Sequence, residues 1–343
     1  MPLFRGIASK RATALFDLCA GFVYSQVLAA CTELGLFERL SQGAVASTVL
    51  AKELSLSPEA MDRLARAAAA LDLLELRSDG RIGLGGQGAA LLGNPSVFEM
   101  VKHHRLLYAD LMDPVALLRA EKGETHLAEF WVYGAKKEGP SSQDGEPEAY
   151  SALMEATQAF IAEEALAAHD FKRHKHIVDI GGGTGAFLSA VADAAPKTEL
   201  TLFDLPEVAA IAKRRFAEQD FAGRASVVGG SFKTDPLPEG ADLMTLVRVL
   251  HDHDEDVVTS LLAKVRKALA PGGTLLIIEP MAGTRGAEAM GDAYFGMYLW
   301  ALGTGEPRTE AALRRMLKNA GFRRIRPLKT KRPLLTRILL AQT

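Results

Sequence analysis

The spacing of hydrophobic residues changes character about halfway along the chain. In the first half, apolar positions recur every three or four residues, which is the period of amphipathic helices. From His176 onward, short runs of β-branched and other apolar residues alternate with helical segments. Strands alternating with amphipathic helices are typical of a doubly wound parallel sheet. We therefore predict a mainly helical N-terminal region followed by a C-terminal α/β domain.

The N-terminal region shows several start and stop signals of helices. Gly35 follows the first long apolar pattern and has the character of a helix C-cap. A later helix is predicted over residues 58–76, with Ser57 as its N-cap and a proline at its first position. A polar stretch rich in glycine, proline and serine, residues 136–148, predicts a loop.

A hairpin signal after these helices gives the region the outline of a winged helix. Asp79-Gly80 stands between two short extended pieces. A winged helix is compatible with a DNA-binding regulator whose second domain senses a metabolite. A DNA reader normally has a basic recognition helix, but the candidate helix carries only Arg63 and Arg66 among alanines and leucines. We therefore predict a dimerisation unit, with the N-terminal helices of a homodimer interlocked.

The change of period suggests three segments. Residues 1–95 form the winged-helix-like dimerisation domain, residues 96–170 a helical connector that contributes to a substrate pocket, and residues 171–343 the α/β domain. No unbroken run of about 18 apolar residues and no signal peptide is apparent, so we predict no membrane span and a cytoplasmic location.

Composition narrows the function classes. Among 343 residues, 40 are basic and 42 acidic, so the formal charge of −2 supplies no overall field that attracts nucleic acid. The two cysteines are too few for a disulfide scaffold or a zinc cluster. The run HDHDED, residues 251–256, is the one histidine and carboxylate cluster with metal-ligand spacing, and it is more simply the start of a helix, so we expect no metal.

The most informative motif is the glycine-rich turn over residues 179–185, DIGGGTG, between a predicted strand and a helix. Such a turn lies where doubly wound sheets bind ligands. Asp179 would repel a dinucleotide pyrophosphate but favours a sulfonium amino acid. Asp204, at the end of the next strand, suits ribose hydroxyls. Because NAD sites share that second feature, an NAD-dependent oxidoreductase is the alternative.

Five motifs in order, VDIGGGTGAFL, LFDLPEV, GSF, LVRVLHDHDED and ALAPGGTLLIIEPM, resemble those of class I S-adenosylmethionine (SAM)-dependent methyltransferases. Together with the winged helix, they resemble the plant-type O-methyltransferase family over nearly the whole chain. The resemblance implies a Rossmann-like SAM-binding sheet, the product S-adenosylhomocysteine and a small-molecule substrate. The predicted cofactor contacts are Asp179, Gly181, Gly183, Gly185, Asp204, Leu205, Ser231, Phe232 and Arg248.

His251 is the candidate catalytic residue. It follows the fourth predicted strand on the ligand-binding edge, and a neutral imidazole can take a proton from a hydroxyl. The family resemblance implies the same role of general base. Glu279 ends the fifth strand and is predicted to orient His251.

The methyl acceptor stays open between two chemistries. The candidate acceptor contacts are His103, His104, Arg105, Tyr108, Trp131, Tyr133, Asp292 and Tyr298. Several segments resemble carotenoid hydroxyl (hydroxyneurosporene and demethylspheroidene) O-methyltransferases of purple phototrophic bacteria, which leads us to predict O-methylation. The alternative is S-methylation of a small thioether acid, as in the methylthiohydroxybutyrate S-methyltransferases. A cationic cluster would suit such an anionic acceptor, and its predicted members are His103, His104, Arg105 and Arg248.

Overall fold

A computed structural model describes residues 2–120, 124–130, 158–333 and 335–343. Contacts divide the chain into two compact units, Met1–Arg105 and Leu106–Thr343. The division into three segments with boundaries at residues 95 and 170 stays a prediction.

The first unit is mainly helical and carries one small antiparallel sheet, with strand order β1-β3-β2. Its elements are α1 (Pro2–Glu33), α2 (Leu36–Ser41), β1 (Val45–Ala46), α3 (Ser47–Glu53), α4 (Pro58–Ala70), β2 (Leu74–Leu76), β3 (Arg81–Leu84), α5 (Gly86–Leu92) and the start of α6 (Pro95–Asp110).

Two of the predicted helix signals of this unit are confirmed and one helix is shorter than predicted. Ser57 caps α4, accepting a hydrogen bond from the Ala60 N–H at 3.1 Å. Gly35 adopts a left-handed conformation, with φ of 65°, just after α1. Helix α4 ends at Ala70 rather than at residue 76, because Leu74–Leu76 pairs with β3 as the predicted hairpin. Tertiary pairing thus overrides the helical propensity of an alanine- and leucine-rich segment.

Helix α1 corrects the expectation that no segment could span a membrane. Lys10–Glu33 is long and apolar enough to do so by length and composition, with a mean hydropathy of 1.6, although core helices and signal sequences pass the same test. Asp17 interrupts the apolar run, which is why a search for an unbroken run misses the segment. Four of its large apolar side chains are 63–77% exposed, namely Leu15, Phe16, Leu18 and Phe22.

The second unit is built around a seven-stranded sheet. Its elements are α7 (Pro114–Leu118), α8 (His126–Phe130), α9 (158–168), β4 (His176–Ile180), α10 (Ala186–Ala194), β5 (Glu199–Asp204), α11 (Pro206–Ala217), β6 (Ala225–Gly229), β7 (Leu243–Val247), α12 (Glu255–Ala268), β8 (Thr274–Glu279), α13 (Phe295–Leu302), α14 (Glu310–Asn319), β9 (Arg323–Leu328) and β10 (Arg337–Gln342). A π-helical turn, Ala289–Tyr294, leads into α13.

The strand order is β6-β5-β4-β7-β8-β10-β9. Strands β4 to β8 are parallel, as predicted for a doubly wound sheet. The expectation of an all-parallel sheet is wrong at one strand, because β10 runs antiparallel to both β8 and β9. Only the short segment 329–336 joins β9 to β10, and a parallel connection needs a crossover of a dozen or more residues.

Alternate residues of the central strands supply two separate cores, one on each face of the sheet. On β8, Leu275 and Ile277 belong to the core that includes α12 and α14, whereas Leu276 and Ile278 belong to the core that includes α9, α10 and α11. Because both faces are covered, β8 is apolar at four consecutive positions, Leu275 to Ile278, rather than at every second one.

The order of the strands also locates the site. The chain moves from β4 outward through β5 and β6, then returns to place β7 on the other side of β4. Ligands of doubly wound sheets bind beyond the carboxyl ends of the strands at such a reversal. The ligand site is therefore expected at the turns after β4 and β7.

Candidate functional site

The turn after β4 is built from glycines that no other residue can replace without strain. Gly181, Gly183 and Gly185 have φ of 69°, 59° and 85°, in the left-handed region. A Cβ on Gly181 would lie 2.8 Å from Val249, and one on Gly185 2.4 Å from the ring of Phe216. The turn therefore brings backbone without side chains to the carboxyl end of β4 and starts α10 directly after it.

Asp204, the last residue of β5, fixes this turn. Its carboxylate accepts one hydrogen bond from the Gly183 N–H and one from the Leu205 N–H, both at 2.7 Å. Burial raises the pKa of Asp204, and the two backbone hydrogen bonds oppose that rise. A carboxylate has about four acceptor positions, so Asp204 retains capacity for further donors.

Asp179 lies inside β4 and is fully buried. One carboxylate oxygen accepts a hydrogen bond from the Thr245 hydroxyl at 2.6 Å, while the other has no hydrogen-bond partner among the described residues. Burial raises the pKa of Asp179 to about 7, the negative charge of Asp204 adds to the rise, and Thr245 opposes it. The residue is not a helix cap, since Gly185 holds that position for α10. A buried oxygen lacking a donor is costly unless a ligand relieves it.

The loop after β6 is tied down by a residue that the sequence analysis missed. The Lys264 ammonium of α12 donates to the main-chain carbonyls of Phe232, Lys233 and Asp235 at 2.8, 3.0 and 3.3 Å. Ser231 donates its N–H to the Asp235 carboxylate at 2.8 Å. Lys264 belongs to no recognisable motif. In the sequence it cannot be distinguished from the other basic residues of an amphipathic helix.

The two predicted catalytic residues meet where β7 and β8 end. His251 is 5% exposed, and its Nδ1 lies 3.4 Å from Oε2 of the fully buried Glu279. The other ring nitrogen, Nε2, lies 3.2 Å from the Asp252 carboxylate. Burial lowers the pKa of His251, but Asp252 and Glu279 together raise it above its ordinary value. The imidazole is therefore held between two carboxylates that stabilise its protonated form.

Main-chain contacts fix the loop that carries His251. Glu279 Oε2 also accepts the backbone N–H groups of Leu250 and His251, at 3.1 and 3.3 Å. The buried Arg308 guanidinium donates to the carbonyls of Leu250 and His253 at 2.7 and 2.8 Å. Arg308 was missed on sequence because it lies more than 50 residues downstream in a segment without a recognisable motif.

Arg248 and the Phe295 ring lie near His251, and two tyrosines pack beside Phe295. Arg248 follows β7 with φ of 56°, and its charge slightly opposes the raised pKa values of His251 and of the buried Tyr294 phenol, whose pKa is raised chiefly by burial. The Phe295 ring stands edge-on to the His251 ring, with centroids 6.0 Å apart. Tyr298 packs beside both Tyr294 and Phe295. Besides its two carboxylates, the imidazole therefore has one aromatic ring against it and the charge of Arg248 nearby.

Two predicted acceptor contacts have structural partners here. The Asp292 carboxylate is exposed and accepts the Gly283 N–H at 2.9 Å, which closes the turn before the π-helical segment. Tyr298 is buried in an apolar cluster with Leu127 and Leu299. Tyr298 packs beside Phe295, whose ring stands against His251. The Asp292 carboxylate instead accepts a hydrogen bond from the main chain.

The cluster on α6 does not present the positive charge expected of it. His103 is buried, and burial and the neighbouring His104 lower its pKa to about 4. Burial also lowers the pKa of His104. Arg105 is exposed and lies 3.6 Å from Glu33. Tyr108 is half-buried. Burial thus disfavours a positive charge on either histidine, so the charge of this cluster rests on Arg105, one of the three basic residues predicted to supply it.

Trp131 and Tyr133, the remaining predicted acceptor contacts, lie outside the described residues. Within the part of the chain that the structure describes, no group of three or more His, Cys, Asp or Glu residues could hold a metal ion.

The residues at the carboxyl edge fit SAM. Its positively charged sulfur and ammonium suit the buried Asp179 carboxylate, whose second oxygen lacks a donor. Its ribose hydroxyls are donors for Asp204, which has acceptor capacity left. The glycine turn allows the close approach that a side chain would block.

Comparisons with known proteins agree with this fit. The chain matches the O-methyltransferase domain over residues 108–323 and the O-methyltransferase dimerisation domain over residues 16–88. It is 43% identical over 335 residues to demethylspheroidene O-methyltransferase of Cereibacter sphaeroides, covering 97% of this chain and 87% of that protein.

Two solved structures share the fold. Mitomycin 7-O-methyltransferase has a TM-score of 0.82 at 24% identity, covering 99% of this chain and 100% of its own. Human N-acetylserotonin methyltransferase in complex with SAM has a TM-score of 0.79 at 25% identity, covering 97% of each chain. These matches decide against the DNA-binding regulator and the NAD-dependent oxidoreductase. The chain belongs to the O-methyltransferase family: it is a SAM-dependent O-methyltransferase of small molecules, with a family dimerisation domain at its N-terminal end.

Proposed function

We propose that the chain methylates a hydroxyl group of a carotenoid, with His251 as the general base. The observation that carries the choice of base is the His251 imidazole, held 3.4 Å from Glu279 and 3.2 Å from Asp252. Two carboxylates beside an imidazole favour proton uptake, which a hydroxyl acceptor requires and a thioether sulfur does not.

We assign the cofactor contacts on the same edge of the sheet. Asp179 would face the charged methionine part, the backbone of Gly181, Gly183 and Gly185 would pass beneath it, and Asp204 with Leu205 would hold the ribose. Ser231 and Phe232 would contact the adenine, and Arg248 would lie beside the methionine part. SAM, when bound, supplies a methyl group on a positively charged sulfur.

In the proposed mechanism, Glu279 orients His251 by accepting the Nδ1–H, and Nε2, on the side of the ring beside Asp252, receives the proton of the acceptor hydroxyl. The hydroxyl oxygen forms the new bond to the methyl carbon as the carbon–sulfur bond breaks. The proton then rests on an imidazolium that Glu279 and Asp252 stabilise. Much of the remaining acceleration comes from holding the reacting groups in line.

The carotenoid assignment is supported by the similarity to demethylspheroidene O-methyltransferase of Cereibacter sphaeroides, which aligns with 97% of the chain. The aromatic residues around His251, Tyr294, Phe295 and Tyr298, suit an apolar acceptor. Burial lowers the pKa of His103 and of His104, so two of the four basic residues that favoured an anionic thioether acid are disfavoured as cations.

The deciding experiment supplies SAM with a labelled methyl group and three acceptors: demethylspheroidene, a phenol, and 4-methylthio-2-hydroxybutyrate. We expect labelled methyl ether on the carotenoid and little product from the other two. A labelled sulfonium product from the thioether acid would overturn the proposal. The phenol distinguishes loss of carotenoid specificity from loss of O-methylation.

We also propose a cytoplasmic homodimer in which a second copy covers the exposed apolar side chains of α1. These side chains lie in or beside the segment that matches the family dimerisation domain. Sedimentation should give twice the chain mass of 36.8 kDa at micromolar concentration. The double substitution Phe16→Asp and Phe22→Asp should shift the protein toward the monomer, and a wild-type monomer at that concentration would contradict the proposal.

A further inference from the structure

A cavity of about 420 Å³ lies at the opposite, amino-terminal edge of the seven-stranded sheet. Since β4 has five residues, this edge is about 15 Å from the glycine turn along the strand. The cavity has no place in the methyl transfer described above. Its lining residues are His169, Arg173, His174, Asp242, Gly272, Thr274, Arg324, Arg326, Leu340 and Gln342.

Positive charge dominates this lining, with three arginines against one carboxylate. Arg324 and Arg326 come from β9, and within the described residues neither guanidinium has a hydrogen bond or an ion pair. The register of β9 against β10 slips between Leu340 and Gln342, and Arg324 opposite the slip has a strained φ of 46°. Bulges change the direction in which side chains point. Here the register slip lies beside Arg324 and Arg326, which line the same cavity.

The one carboxylate of the lining is already engaged elsewhere. Asp242 accepts hydrogen bonds from the Lys175 N–H at 3.1 Å and the His176 N–H at 2.9 Å, and it lies 3.4 Å from His174 Nδ1. Arg173 lies 3.7 Å from the exposed Asp170. Asp242 therefore forms no ion pair with Arg324 or Arg326, and the three arginines leave the lining with an excess of positive charge.

Two histidines add a group that can take up a proton. His169 Nε2 and His174 Nε2 are 2.8 Å apart, which requires one ring to donate and the other to accept. Burial lowers both pKa values, that of His169 to about 4, and Arg173 lowers them further while Asp170 opposes. Arg326 also lowers that of His169, and Asp242 raises that of His174. A bound anion would favour a protonated pair.

We propose that this cavity binds a doubly charged oxyanion, such as a phosphate or sulfate group, between Arg324, Arg326 and the His169–His174 pair. A planar guanidinium group can donate two parallel hydrogen bonds to a pair of oxygens of such an anion. Binding draws a proton onto the histidine pair, so the affinity for the anion rises as the pH falls.

Calorimetry of the full-length dimer with sodium sulfate tests this proposal, because sulfate keeps its charge between pH 7.5 and 5.5. S-adenosylhomocysteine is present at saturation throughout, so the cofactor site is filled. We expect saturable binding that sodium chloride at equal ionic strength does not reproduce. The affinity should be several-fold tighter at pH 5.5 than at pH 7.5.

The double substitution Arg324→Gln and Arg326→Gln should weaken sulfate binding at least tenfold. Arg323→Gln is the matched control, because Arg323 lies on the same strand but does not line the cavity. A general stabilising effect of sulfate is not saturable and would be the same in all three proteins. Equal binding by the double variant and the control would overturn the proposal.

His169→Gln separates the proton from the anion. Glutamine can hydrogen-bond to His174 but does not titrate, so sulfate should still bind and its pH dependence should become shallower. An unchanged pH dependence would overturn the role of the histidine pair. Unaltered affinity for S-adenosylhomocysteine in each variant would show that the fold is intact.

Discussion

The two edges of the seven-stranded sheet have opposite chemistry. At the carboxyl edge, Asp179, Asp204 and Glu279 stand at or near the ends of parallel strands. At the amino edge, Arg324 and Arg326 face a cavity with one engaged carboxylate. One sheet thus offers a negative edge that suits a sulfonium cofactor and a positive edge that suits an anion.

The difference between the edges comes from how each is held. At the carboxyl edge, backbone N–H groups of the turns donate hydrogen bonds to Asp204 and Glu279 and so hold these side chains in place. At the amino edge, the positive charge comes from an edge strand whose guanidinium groups have no such partners within the described residues. The first edge is prearranged for a ligand, while the second requires the ligand to complete it.

The largest effect at the carboxyl edge is expected from His251→Ala. Removing the base should lower kcat by about 10²–10⁴, the usual contribution of general-base catalysis, and raising the pH should restore part of the rate. The kcat on the accepted hydroxyl substrate measures this directly. His126→Ala, at an exposed histidine near Glu129, is the control and should keep the wild-type rate. Near-normal kcat of His251→Ala on that substrate would rule out His251 as the general base.

Asp204→Ala should give the next largest effect. The loss of hydrogen bonds to a charged group is worth about 1.5–3 kcal/mol, so SAM should bind roughly 10–150-fold more weakly. Because Asp204 also holds Gly183, the more conservative Asp204→Asn should lose less affinity. Calorimetric titration with SAM measures both variants, and unchanged affinity in the alanine variant would refute the ribose assignment.

Glu279→Gln should lower kcat by about thirtyfold, less than removal of the imidazole, because a base remains. The carboxylate raises the pKa of His251, and the base acts in its deprotonated form, so the rate is lost as the pH falls through that pKa. The variant should therefore move the acidic limb of the pH–rate profile to lower pH. Glu163→Gln, at an exposed partner of Arg332, should leave the profile in place. A merely structural Glu279 would lower the rate without moving the limb.

The smallest effect concerns the pH dependence of cofactor binding. The pKa of Asp179 is raised to about 7, so the carboxyl is protonated as the pH falls below that value. The cationic cofactor prefers the ionised form, and SAM should bind about tenfold more weakly at pH 6 than at pH 8. Asp179→Asn should bind weakly at both values, with little pH dependence. The same dependence in wild type and variant would assign it to another group.

The sequence singled out the glycine turn after β4, Asp204 at the end of β5, His251 after β7 and Glu279 at the end of β8. Each follows a β-rich segment, and the carboxyl ends of parallel strands meet at one edge, so order along the chain predicted proximity in space. Thr245, Lys264 and Arg308 were missed, because each acts through contacts with residues far away in the chain and lies in a segment whose pattern already has a structural explanation.

The sequence alone determined the α/β sheet, the hairpin of the first unit and the edge of the sheet that carries the chemistry, since hydrophobic period and turn residues are local properties. Tertiary structure decided the direction of β10, the end of α4 at Ala70 and the lowered pKa values of His103 and His104. These depend on strand pairing and burial, which bring together residues far apart in the chain. The histidine pair and the arginines of the amino edge lie some 150 residues apart in sequence, so only folding places them in one cavity.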